Sequence, residues 1–277
     1  MRTRTRVPAL IATDLDGTFL SPDGTVSERN AAAVLRAQSA GIPVLFATGR
    51  PVRWLDVIAD LPGGHPTVIA SNGAVLYDLG SGTLVDRLII DPAVALAAVV
   101  AIRAEVPDAS FAFESGTRFG YEPSYGTWPA DDGTDPALFS GPAEEIAYTE
   151  DFVKMLVQSA AVPPDRLLDR VREAVGRSLT ATHSQTRDFG LVEISAYGVS
   201  KASMLERCAA QLGIDASRVA AFGDMPNDVD MLSWAGMSFV VANAHPALLD
   251  LDFTVVPGND QSGVGKTIME LVGRASR

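Results

Sequence analysis

Between residues 9 and 70, short apolar runs alternate with stretches whose apolar positions repeat at helical spacing. Residues 9–13, 42–47 and 67–70 are continuous apolar runs, which predicts strands buried on both faces. Residues 27–40 predict a helix, capped by Ser27 and stopped at Gly41. Residues 51–61 predict another, with Pro51 in its first turn. Strands and helices in this order predict a parallel sheet covered on both sides.

The pattern then changes. Residues 74–77 and 84–90 flank Gly80-Ser81-Gly82 and predict a hairpin. Residues 92–105 predict a helix, residues 111–125 carry alternating aromatics, and residues 128–142, rich in Gly, Pro and Asp, predict a loop. Residues 153–158 and 178–183 predict strands around a helix at 164–175. The earlier rhythm returns with a helix at 200–212, a strand at 218–222 and a helix at 227–234. Short strands at 239–241 and 253–255 and a helix at 264–274 follow. The predicted fold class is α/β. Residues 1–83 and 191–277 form a Rossmann-like core with a parallel sheet and helices on both faces, and residues 84–190 form an inserted α+β cap domain. No internal repeat or low-complexity tract interrupts this pattern.

Composition narrows the function classes. Hydrophobic residues make up 47% and charged residues 20%, as in ordinary globular proteins. Asp+Glu total 34 against Lys+Arg 22, a net charge of −12, which argues against non-specific nucleic-acid binding. A phosphorylated small molecule stays compatible, because a bound metal can outweigh the global charge locally. The lone Cys208 fits a reducing compartment. The apolar stretch at 7–13 is short for a secretory signal, and no run approaches the roughly 20 residues of a membrane helix. The expectation is a soluble cytoplasmic chain without a membrane partner.

Ligands bind beyond the carboxyl ends of the strands in an open parallel sheet. The residues that follow the apolar runs are Asp14-Leu15-Asp16-Gly17-Thr18, Thr48-Gly49-Arg50, Ser71-Asn72-Gly73 and Gly223-Asp224-Met225-Pro226-Asn227-Asp228. Four strands thus bring carboxylates, hydroxyls, an amide and glycines to one edge. In extended chain Asp14 and Asp16 share a face, so both carboxylates are expected in one small volume that calls for a cation. Asp224 and Asp228 add two more, and hard oxygen donors suit Mg²⁺ better than Zn²⁺. Lys201, near the start of a helix, reads by itself as solvent-facing. Gly263-Val264-Gly265-Lys266-Thr267 imitates the end of a P-loop, but Asp260 stands where that motif needs glycine, so it reads as the turn into the last helix. His65, His183 and His245 have no metal-ligand spacing.

Asp14-Leu15-Asp16-Gly17-Thr18, Thr48-Gly49-Arg50, Lys201 and Gly223-Asp224 with Asn227-Asp228 together resemble the four motifs of the haloacid dehalogenase-like (HAD) hydrolases. Ser71-Asn72-Gly73, Val199-Ser200-Lys201 and Asn243-Ala244-His245-Pro246 are similar to the Cof-type subfamily, with Ala242 where many relatives have glycine. The likeness spans nearly the whole chain, and the long gap from Arg50 to Lys201 is similar to that subfamily's inserted cap. It implies a Mg²⁺-dependent phosphatase of small phosphorylated metabolites, working through an aspartyl-phosphate. Asp14 is then the nucleophile, Asp16 the acid and later the base, and Lys201 the charge partner of both Asp14 and the phosphoryl group. The metal set is Asp14, Asp16 through its backbone carbonyl, Asp224 and Asp228. Thr48, Gly49, Arg50, Ser71, Asn72, Gly73 and Asn227 form the substrate-binding set. Asn227 and Asp228 also orient Lys201 and the metal's waters. A phosphomutase is the neighbouring alternative, and a non-catalytic phosphate sensor is the alternative from another class. In the insert, most aromatics between Phe111 and Trp128 are expected to fill its own core, with Arg118 and Glu122 as candidate substrate contacts.

Overall fold

A computed structural model describes residues 7–63, 66–126, 137–182 and 190–273. In chain order its main elements begin with β1 (Leu10–Thr13), α1 (Glu28–Ser39), β2 (Val44–Ala47), β3 (Thr67–Ala70), β4 (Val75–Asp78) and β5 (Thr83–Arg87). There follow α2 (Pro92–Glu105), β6 (Ser110–Glu114), β7 (Phe119–Tyr121), β8 (Leu138–Ser140), α3 (Ala143–Ile146), β9 (Lys154–Ser159) and α4 (Pro164–Val175). The chain continues with β10 (Leu179–Thr182), β11 (Gly190–Ala196), α5 (Lys201–Gln211), β12 (Val219–Gly223), α6 (Val229–Trp234) and β13 (Met237–Val241). It closes with α7 (Pro246–Leu249), β14 (Thr254–Val256) and α8 (Gly263–Gly273). The chain divides into two compact units. One comprises residues 1–50, 54–86 and 200–277, the other residues 51–53 and 87–199.

The first unit is built on one sheet, ordered β14-β13-β12-β1-β2-β3-β4-β5. Its pairs from β14 to β3 are parallel. Every residue of β1, β2 and β12 is buried, as expected of strands covered on both faces. Helix α1 starts where Ser27 Oγ accepts the Asn30 N–H at 3.2 Å, and the chain leaves it through Gly41 at φ +74°. Helix α1 packs Ala33, Val34 and Ala37 inward, and its Asn30 carboxamide joins Gly265 N–H of α8 at 2.9 Å to Phe19 O at 2.6 Å. A Cβ at Gly265 would lie 2.5 Å from Asn30 Oδ1, so this close approach requires glycine.

The second unit is a sheet ordered β10-β11-β9-β6-β7-β8. Phe111, Phe113, Met155, Val157, Val192 and Ile194 form its core with Val99 and Ile102 of α2 and Leu167 and Val171 of α4. Several alternate positions carry buried charges: Glu114 pairs with Arg53, and Lys154 Nζ lies 2.8 Å from Glu193 Oε1. Phe111 and Phe113 thus serve this unit's own core. Trp128 lies outside the described residues, as do His65 and His183.

Some expectations fail. Residues 51–61 form two 3₁₀ turns, Val52–Trp54 and Asp56–Ile58, in place of a helix. The Trp54 carbonyl that an α-helix would offer to Ile58 accepts from Arg50 at 3.2 Å, while Ile58 N–H bonds to Leu55 O at 3.0 Å. Part of the predicted loop 128–142 is strand β8, paired with β7. Strand β11, which lies in the second unit, has no counterpart among the predicted elements.

Candidate active site

Strands β1 and β12 are paired neighbours, with Thr13 opposite Phe222. The sheet grows from β1 to β2 on one side and from β12 to β13 on the other. Such a reversal opens a crevice at the strand ends. Asp14 follows β1 directly, its N–H bonded to Phe222 O at 3.0 Å. Lys201, the first residue of α5, places Nζ 2.5 Å from Asp14 Oδ1 and 2.7 Å from Asp228 Oδ1. Its exposure is 2%, so the solvent-facing reading is corrected. The cause lies in how α5 begins. Ser200 Oγ accepts Ser203 N–H at 3.1 Å and Ser203 Oγ accepts Ser200 N–H at 3.0 Å, which fixes the helix start. Gly73 abuts that start: a Cβ there would lie 2.1 Å from Ser200 O.

Asp228 has no exposed surface. Its Oδ1 accepts from Lys201, and its Oδ2 accepts from the N–H groups of Asp224 at 3.0 Å and Met225 at 3.1 Å. Thr18 Oγ1 donates to Asp224 Oδ1 at 2.8 Å. Gly17 makes room for this, because a Cβ there would lie 2.3 Å from Asp224 Oδ2 and its φ is +78°. Asp14, Asp224 and Asp228 bring ligand oxygens within 4.8 Å of one another.

Three buried carboxylates here share one ammonium. Burial holds the Asp14 carboxyl well above its usual range, although Lys201 pulls it down. Burial and the neighbouring Asp228 push Asp224 up to about 7. Burial alone would lower Lys201, but attraction to Asp14 and Asp228 wins and raises it. The surplus of buried negative charge and the all-oxygen donor set suit a hard divalent cation.

Asp16 departs from expectation. Its carboxylate is not one of the three clustered groups and meets Arg50, with Nε 2.8 Å from Oδ2 and Nη2 2.6 Å from Oδ1. Asp16 itself keeps extended backbone angles, φ −76° and ψ 124°, but the chain turns at Gly17, φ +78°, and an arginine from the loop after β2 takes the carboxylate.

The loops after β2 and β3 form one hydrogen-bonded unit. Thr48 Oγ1 accepts Arg50 N–H at 3.1 Å, Asn72 N–H bonds to Thr48 O at 2.9 Å, and Ser71 N–H bonds to Arg50 O at 2.9 Å. Ser71 and Asn72 have φ of +50° and +56°, left-handed values of the kind held at functional sites, and Gly73 follows at +102°, which glycine adopts freely. Asn227 Nδ2 donates to Asn72 Oδ1 at 3.0 Å. Ser71 Oγ and Asn227 Oδ1 are buried without a hydrogen-bond partner among the described residues, and such orphaned atoms are complementary to a polar ligand. Gly49 lies in the same loop as Thr48.

Sequence reasoning missed Thr18 and under-read Asn243. Asn243 Nδ2 donates to Gly17 O at 2.8 Å, while its Oδ1 accepts Asn259 N–H at 2.9 Å. Position supplied the signal, since Thr18 closes the Asp-x-Asp-Gly run and Asn243 opens Asn-Ala-His-Pro. His245 caps α7, its Nδ1 accepting Ala247 N–H at 3.2 Å, and its own N–H bonds to Asp224 O at 2.8 Å. The P-loop imitation is spent on packing, because Gly265 N–H bonds to Asn30 and Lys266 N–H to Ser262 O. Arg118 pairs with Glu150, and Glu122 accepts from Arg103 and from Phe111 N–H, so both candidate substrate contacts are engaged inside the second unit.

The family described as haloacid dehalogenase-like hydrolase matches residues 11–268. Phosphatase YwpJ of Bacillus subtilis (strain 168) is 28% identical, covering 95% of this chain and 99% of that protein. The 5-amino-6-(5-phospho-D-ribitylamino)uracil phosphatase YbjI of Escherichia coli (strain K12) is 27% identical, covering 92% of this chain and 93% of that protein. A solved haloacid dehalogenase-like hydrolase from B. subtilis superposes with a TM-score of 0.80 at 26% identity, covering 95% of this chain and 99% of that one. Among the described residues no helix is long and apolar enough to cross a membrane.

Proposed function

We propose, from the premise that this chain belongs to the haloacid dehalogenase-like hydrolase family and is a phosphatase, that it hydrolyses small phosphomonoesters through an aspartyl-phosphate on Asp14 with the aid of Mg²⁺. The observation that carries this reading is the buried Lys201 bridging Asp14 and Asp228, with Asp224 beside them. So costly a concentration of buried charge is retained for a function at this site, and a nucleophilic carboxylate beside a cation and an ammonium is what phosphoryl transfer uses. Asp14, Asp224 and the backbone carbonyl of Asp16 would hold the cation, while Asp228, its oxygens already engaged, orients the loop and Lys201. Bound there, Mg²⁺ would supply charge neutralisation for the phosphoryl oxygens.

An Asp14 oxygen attacks phosphorus. The ester P–O bond breaks, its electron pair leaves with the ester oxygen, and Asp16 supplies that oxygen with a proton. Water then attacks the acyl phosphate, Asp16 takes the water's proton, and the P–O bond to Asp14 breaks to restore the carboxylate. Lys201 balances charge on Asp14 throughout. The Thr48 hydroxyl and the Gly49 and Ser71 positions supply donors for phosphoryl oxygens. Residues 84–190 act as the cap that selects the leaving group. A sugar or polyol phosphate is the substrate class favoured by the name of the E. coli relative, which specifies a 5-phospho-D-ribitylamino group.

Phosphate release from an aryl phosphate tests the reading. Release should need Mg²⁺, stop with chelator and fall at least about a thousandfold in Asp14→Asn. Turnover that persists in Asp14→Asn would remove Asp14 as the nucleophile.

A further inference from the structure

Arg50 was expected among the groups that bind substrate, yet three of its five guanidinium N–H donors are engaged within the protein. Nε and Nη2 grip the two oxygens of Asp16 at 2.8 and 2.6 Å, and Nη1 donates to Trp54 O at 3.2 Å. Each of its three nitrogens therefore already has an acceptor. Its backbone is pinned as well, with its N–H on Thr48 Oγ1 and its carbonyl accepting from Ser71. Asp16, by contrast, has a half-exposed side chain that follows the turn into Gly17. A carboxylate so placed has free rotamers unless something holds it. A bidentate guanidinium fixes both the plane and the direction of a carboxylate, which an ammonium does not.

We propose that Arg50 is a positioning residue, acting through Asp16 by holding its carboxylate in register for proton transfer to the leaving oxygen, rather than a binder of the transferred phosphoryl group. The inference rests on the acid–base reading of Asp16 given above. In that step the Asp16 proton passes to the ester oxygen as the P–O bond breaks and the Asp14–P bond forms. For this, one of the two Arg50 contacts opens: the oxygen it frees carries the transferred proton and faces the ester, while the other oxygen stays on Arg50. A misplacement of about 1 Å at such a group can cost about a hundredfold.

The test compares phenyl phosphate, whose leaving group needs a proton, with 2,4-dinitrophenyl phosphate, whose leaving group does not. Wild type, Asp16→Asn, Arg50→Gln, Arg50→Lys and the Asp16→Asn/Arg50→Gln double variant are assayed, with folding checked by circular dichroism. Both Arg50 variants should lose about ten- to a hundredfold in kcat/KM on phenyl phosphate and stay within about threefold in kcat/KM on the dinitrophenyl ester, because kcat/KM covers the chemistry only up to departure of the leaving group. The double variant should be no slower than Asp16→Asn alone, because the two residues act as one unit. Equal losses on both esters, or recovery by Arg50→Lys, would overturn the proposal and make Arg50 a phosphate binder. If Asp16→Asn itself loses kcat/KM equally on both esters, the acid–base reading fails first. If Asp16→Asn discriminates between the esters and the Arg50 variants do not, only the positioning role fails.

Discussion

Removing a buried ammonium that serves two carboxylates leaves both without a counter-ion, and that cost is much larger than the loss of one surface ion pair. Lys201 sits in this position between Asp14 and Asp228. Lys201→Met should therefore abolish turnover and also lower the stability of the metal-free protein, by about 3–5 kcal/mol. Thermal unfolding in the presence of chelator measures this, and an unchanged melting temperature would return Lys201 to an ordinary surface role. Its burial was not legible locally, since a lysine at the start of a helix usually faces water. Position in the Ser200-Lys201 pair, not residue type, decides it: the Ser200–Ser203 capping box and the contact with Gly73 aim the side chain inward. Asp16 shows the converse. Its identity was plain from the Asp-x-Asp spacing, but its direction was not, because that depends on a turn and on an arginine from the loop after β2.

At the scale of elements, local pattern and structure agree where a segment's apolar face meets a partner along its whole length. Helices α2 and α4 have the bounds that their patterns predict, and the buried strands β1, β2, β3 and β12 shift by a residue or two at most. The pattern fails where tertiary hydrogen bonds take over backbone groups, as the Trp54 carbonyl shows. Gly-Val-Gly-Lys-Thr illustrates a motif without its function. Gly265 serves the α1–α8 approach, Gly263 lies against Pro257, and the amides of Gly263, Gly265 and Lys266 already have acceptors. Gly265→Ala should destabilise the protein by about 1–3 kcal/mol through overpacking against Asn30, without changing kcat of the folded fraction. Lys266→Ala should leave phosphatase activity intact. Urea unfolding and steady-state assays on these two variants check both statements, and loss of turnover in Lys266→Ala would reopen a phosphate-binding role.

Across the whole molecule, the site joins parts of the chain that are far apart in sequence. Lys201 is 187 positions from Asp14, and Thr18 is 206 from Asp224. An unfolded chain cannot gather such a set, so a cation held by it binds the folded state alone. Mg²⁺ at a hundredfold excess over its dissociation constant should then add about 2.7 kcal/mol of stability, lost on chelation. Calorimetry with and without Mg²⁺ measures this, and an unmoved melting temperature would argue against a metal held by Asp14 and Asp224. The sequence by itself determined the α/β class and which residue types stand at the strand ends. Both follow from short-range periodicity, because a strand covered on two faces must be apolar and its end must turn. Only the tertiary structure decided that Lys201 is buried, that Asp16 belongs to Arg50, and that Asp228 is divided between Lys201 and its own loop. Those outcomes depend on side chains from distant segments competing for the same carboxylate oxygens, and spacing along the chain carries no record of that competition.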